Sequence, residues 1–189
     1  MRNQNQERVA HNNITFAEPV RSVAEDKKHR DAALDFLLQG QFSAFPITIN
    51  FKQRLNMPNG TWQTLDVAEM TAATSLLLRR IAEHFVGKHA TRWGRRDDRG
   101  KRGFRLQGQY VWEYGSERGY HVHGRIERLN NVSFDTLGFL LMKYSRKMRW
   151  IERVHLDRDD REAWQHYILK QKETGSLLDH IDLTNTWWI

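Results

Sequence analysis

Cysteine is absent from all 189 residues, which excludes disulfides, thiolate zinc sites, iron–sulfur ligation and cysteine nucleophiles together. Any metal must be held by His, Asp, Glu or water. Proline occurs three times, and neither an internal repeat nor a long Gly/Ser linker divides the chain, so no boundary between two independent cores is visible. Missing too is any apolar run of the roughly 18 to 20 residues that cross a bilayer. Met1 to Arg8 carries no apolar stretch like a secretory signal, and the expected location is cytoplasmic, with no membrane partner. Acidic residues are in deficit, 23 against 30 Lys plus Arg, for a net charge of +7. That balance favours polyanionic partners such as nucleic acid, although a basic enzyme of another kind has it as well. What is plentiful is apolar material: 39% hydrophobic and 11% aromatic residues suffice for a core and exclude a wholly disordered chain.

Residues 1–40 read as a polar arm followed by a short amphipathic helix over Asp31 to Gln39, a candidate lid, and residues 41–189 as the folded domain. Phe45 to Phe51 alternates Phe45, Ile47, Ile49 and Phe51 with Pro46, Thr48 and Asn50, the period-two signature of a half-buried strand. After a turn at Pro58-Asn59-Gly60, Val67, Met70, Ala73, Leu77, Ile81 and Phe85 recur at helical spacing up to Gly87. Arg92 to Arg105 holds seven basic residues and three glycines without an apolar period, the pattern of a mobile basic loop. Leu106 to Glu113 and Tyr120 to Arg128 are two strands joined as a hairpin by Tyr114 to Gly119. A helix capped by Ser133 runs to Met148, a strand covers Trp150 to Leu156, and Asp159 or Asp160 caps a last helix from Arg161 to about Lys172. The expected class is α+β: a central antiparallel sheet of about five strands with helices mainly on one face.

Within the second hairpin strand, Tyr120-His121-Val122-His123-Gly124 directs both imidazoles to one face while Val122 points into the core, a two-ligand clamp for a metal. Two histidines also share a sheet face by chance, so the neighbours matter. If the hairpin folds about Glu117, Glu113 stands across from His121 and completes a His-His-Glu set with open positions. Such a set suits Mg²⁺ or Mn²⁺ acting on a phosphoryl oxygen, and its ligand types also admit Zn²⁺ or Fe²⁺. Downstream, Tyr167 and Lys170 share a helical face, where the ammonium can activate the phenol as a nucleophile and neutralise a phosphate. The alternative is a core tyrosine beside a snorkelling lysine. Tyr144 and Lys147 have the same spacing, which by itself does not separate the two pairs.

The strand at Phe45 to Phe51, the His121-Val122-His123 strand preceded by Glu113, and the later Tyr167-x-x-Lys170 helix come in the order of the three motifs of HUH endonucleases. The chain resembles this superfamily from about Phe45 to Gln171, most closely its single-tyrosine rolling-circle replication initiators. The resemblance implies that residues 41–189 form an HUH endonuclease domain, with metal ligands His121, His123 and Glu113, Mn²⁺ or Mg²⁺ as cofactor, and Tyr167 rather than Tyr144 as nucleophile, assisted by Lys170. It implies nicking and joining of single-stranded DNA or origin hairpin DNA through a 5′-phosphotyrosine. Relaxases and transposases share this chemistry. No GxxxxGK[ST] phosphate loop is present, so unwinding would come from a separate helicase. On the polar sheet face Thr48, Asn50 and Arg125 are candidate DNA contacts, joined by Arg95, Arg96, Arg99, Lys101 and Arg102 of the basic loop and by Trp93 for base stacking. A basic DNA-binding protein without catalysis is the alternative, in which the histidines are structural.

Overall fold

The computed structural model describes residues 32, 42–88, 106–115, 119–158 and 180–186. The polar arm, the short helix over 31–39 apart from Ala32, the basic loop and the last helix fall outside these residues. Eight elements follow one another: β1 (Ala44–Phe51), β2 (Arg54–Asn56), β3 (Trp62–Thr64), α1 (Val67–Val86), β4 (Gly108–Gly115), β5 (Gly119–Glu127), α2 (Phe134–Ser145) and β6 (Ile151–Leu156). The class is α+β, as the hydrophobic periods indicate. Four strands form one antiparallel sheet in the order β4-β5-β1-β6, and β2 pairs with β3 in a separate ribbon. An isolated antiparallel bridge between Val111 and Ile181 lays a further piece of chain along the β4 edge.

Alternation along the strands sorts the sheet into two faces. Ile47, Ile49, Val122, Ile126 and Tyr110 are buried on one face and form a single core cluster with Met70, Leu77, Leu78 and Ile81 of α1 and Leu137, Leu140 and Leu141 of α2. Each fully buried aliphatic side chain there contributes about 1.5–3 kcal/mol of transfer free energy. Both helices are thus committed to this face, and the other is left to Thr48, Asn50, His121, His123 and Arg125. Helix starts follow the expected chemistry: Asp66 accepts from the Glu69 amide at 2.7 Å and Ser133 from the Thr136 amide at 3.1 Å. Gly87, at φ 80°, ends α1 by donating its amide to the Glu83 carbonyl.

Three features differ from the expectation, the first being that α2 ends at Ser145 and not at Met148. The hairpin strands extend to the pairs Tyr114–Tyr120 and Gly115–Gly119, so the connection is shorter than Tyr114 to Gly119, and the Tyr114 and Tyr120 rings meet edge to face at 5.0 Å. The β2–β3 ribbon, where only a turn was expected, is built of two three-residue strands closed around Gly60 at φ 78°. Strands so short carry too little alternation to register as a period.

Candidate metal centre

Register positions the site. Glu113 of β4 lies directly across from His121 of β5, and His123 follows two residues along the same face. The nearer Glu113 oxygen, Oε2, is 3.6 Å from Nε2 of His121 and 3.6 Å from Nε2 of His123. The imidazoles stand perpendicular with centroids 4.8 Å apart. All three ligand atoms lie within 4.8 Å of one another, and among the described residues this is the one cluster of three or more such groups.

The other ring nitrogens define the chemistry of those atoms. Nδ1 of His121 donates to the Gly119 carbonyl at 3.0 Å, because a carbonyl only accepts. In neutral His121 this leaves Nε2 with its lone pair directed at the carboxylate. Nδ1 of His123 is 3.1 Å from Thr48 Oγ1 of β1; with the hydroxyl accepting, His123 takes the same tautomer. Such second partners are what fixes a ligating imidazole in place. Lone pairs converging on a carboxylate oxygen repel unless a cation or proton lies between them, and 3.6 Å exceeds a direct N–H···O bond. Ligands about 2.0–2.2 Å from a shared ion stand some 3–3.5 Å apart, near the observed spacing. The donor set fits a divalent ion.

The hairpin is braced from both sides. Gly119, at φ 66°, has Gln53 packed where a Cβ would project, and the Gln53 amide accepts from Tyr120 N at 2.9 Å and donates to the Phe51 carbonyl at 2.7 Å. Behind the histidines, the Tyr110 ring occupies the space a Cβ would need at Gly124 and at Gly108, which lets a fully buried aromatic lie flat on the sheet beneath the site. At the β4 edge, Asp182 N donates to the Tyr110 carbonyl at 2.9 Å, and Asn185 reaches α1 by accepting from Ser75 Oγ at 2.6 Å and donating to the Thr71 carbonyl at 3.1 Å.

Of the residues expected to contact DNA, Thr48 is the partner of His123, and Asn50 is half-buried across from His121. Arg125 is 6% exposed; its guanidinium donates to Gln109 Oε1 at 3.2 Å and to the Phe42 carbonyl at 3.4 Å, engagements unlike those of a solvent-facing phosphate contact. Trp93, Arg95, Arg96, Arg99, Lys101 and Arg102 fall outside the described residues, as do Tyr167 and Lys170. The rival tyrosine is described: the Tyr144 hydroxyl is 3.2 Å from His84 Nδ1 of α1, and its side chain packs against the core. Tyr144 therefore belongs to the helical layer, with the sheet between it and the histidines.

Sequence reasoning did not name Gly119, Gln53 or the segment at His180 to Thr186 as supports of the site. The positive φ of Gly119 had a signal in the turn-like Gly115 to Gly119 composition; the edge segment had none, since a single bridge has no period. No helix among the described residues is long and apolar enough to cross a membrane. Comparison with protein-family models, curated proteins and solved structures gives no significant match.

Proposed function

We propose that this chain is a metal-dependent endonuclease that nicks and rejoins single-stranded DNA by HUH-type chemistry, with Glu113, His121 and His123 as metal ligands and Tyr167 as nucleophile. The observation that carries the proposal is the β4–β5 register, which brings one carboxylate oxygen within 3.6 Å of two imidazole Nε2 atoms. Mn²⁺ or Mg²⁺ bound there supplies Lewis-acid polarisation of a phosphoryl oxygen. The protein's part is to hold the three donors, keep both imidazoles in the ligating tautomer through Gly119 and Thr48, and present a nucleophile. The Tyr167 oxygen forms a bond to phosphorus as the bond to the 3′ oxygen breaks; the 3′ oxygen takes up a proton and the 5′ phosphate stays on the tyrosine. Because the phosphodiester is conserved, a 3′-hydroxyl reverses the step and rejoins strands. Lys170, three residues on, neutralises the phosphate and lowers the cost of the phenolate.

Further support comes from the net charge of +7, from the polar sheet face around the triad, and from the placement of Tyr144 away from it. Initiation of rolling-circle replication of a plasmid, phage or mobile element, with a separate helicase for unwinding, is our first assignment, and a relaxase or transposase with the same chemistry is the alternative. The test is cleavage of single-stranded oligonucleotides with Mn²⁺ or Mg²⁺ and with excess chelator. Ion-dependent cleavage, lost in His121→Ala and His123→Ala, supports the proposal; binding without cleavage at any divalent ion favours a DNA-binding protein instead.

A further inference from the structure

Exposure rises across the polar sheet face from β5 through β1 to β6. The row through His123 runs Val111, His123, Thr48, His155, and the row through His121 runs Glu113, His121, Asn50, Arg153. His121 and His123 are buried, Thr48 and Asn50 half-buried, and Arg153 and His155 of β6 exposed. Glu113 on β4 is half-buried, and on the β6 side the polar face is open to solvent. Arg153 stands opposite Asn50 in the same register as His155 opposite Thr48, and the register shifts only beyond it, where Phe51 pairs with Ile151 and Glu152 is the extra residue. No hydrogen bond or ion pair to a described residue engages Arg153 or His155.

We propose that Arg153, with His155 beside it, anchors the phosphodiester backbone of a single nucleic-acid strand that crosses β6 and β1 to reach the triad. The inference rests on the proposed function for what the triad does, but not for what the track binds. Neighbouring strands are about 4.8 Å apart, which sets Arg153 about 10 Å from His121 across the sheet, a separation that lets one strand engage both. A guanidinium fork matches a phosphate in two parallel hydrogen bonds, and residues two apart on a strand point the same way, so Arg153 and His155 line one path. The approach runs over Thr48 and Asn50, whose polar groups suit a solvated backbone.

Anisotropy of a labelled oligo(dT) with the full-length protein, across a salt series and with chelator present, tests the track. Arg153→Ala should weaken binding about 10-fold, the loss of one charge-assisted contact, and lower the slope of log K against log salt by about 0.7. Arg153→Lys should recover the slope but only part of the affinity, and Glu152→Ala should bind no more weakly than the parent. Mn²⁺ binding without DNA should be unchanged in Arg153→Ala, which also reports that the sheet is intact. Parental affinity and slope in Arg153→Ala would overturn the track, even if the parent nicks DNA. A parent that binds through Arg153 yet never forms a covalent adduct upholds the track and refutes the nickase reading, and a parent that does not bind oligo(dT) overturns the track.

Discussion

At the scale of single residues, the site depends on groups that orient the ligands as much as on the ligands. The Thr48 hydroxyl bonds the far nitrogen of His123, so Thr48→Val should keep the fold and lower Mn²⁺ affinity about 10- to 100-fold, the usual cost of losing an outer partner; isothermal titration checks it. An unaltered affinity would mean that His123 needs no orientation from β1. Gly124→Ala is of another kind, because a methyl group there collides with the Tyr110 ring. It should cost about 1–3 kcal/mol as overpacking, read as a shift of the urea midpoint. The histidine pair and Glu113 were legible in the sequence, since two-residue alternation and hairpin symmetry place all three on one face. Gly119 and Gln53 were not, because a backbone carbonyl and an amide just past the end of the neighbouring strand acquire their roles only when β1 and β5 align.

At the scale of elements, strands and helices with long periods were readable, and short ones held by neighbours were not. α1 carries an apolar stripe over five turns and a capping Asp66, so pattern and cap agree. Its observed end at Val86, directly before Gly87, is where the apolar period stops. The β2–β3 ribbon and the bridge at Ile181 depend instead on tertiary contacts: Leu55 packs on the core, and Asn185 ties the edge segment to α1 through Ser75 and Thr71. Asn185→Ala removes those bonds from a residue only 1% exposed and takes a partner from half-buried groups on α1. The expected loss is about 1–3 kcal/mol by urea unfolding, with protection of the β4 amides in hydrogen exchange falling more than that of α1. Equal protection in parent and variant would show that β4 needs no clamp at that edge.

For the whole molecule, the sheet divides labour: one face is filled by two helices, and the opposite face carries the polar groups of the proposed chemistry. The α+β class followed from the order of periods, but the strand order β4-β5-β1-β6 did not, since pairing between distant strands leaves no local mark. Charge acts at this scale as well. Neutralising Arg95, Arg96, Arg99, Lys101 and Arg102 together should weaken DNA binding and flatten its salt dependence through fewer released counterions. The single-turnover rate at saturating DNA should change little, and an unchanged salt slope would assign the loop no phosphate contact. The most direct measurement of the proposed function is peptide mapping by mass spectrometry after incubation with single-stranded DNA and Mn²⁺. The expected result is a nucleotide phosphate attached to Tyr167, lost in Tyr167→Phe, in His121→Ala and in excess chelator. An adduct on Tyr144, an adduct formed in full with chelator present, or cleavage that never leaves DNA on the protein would contradict it.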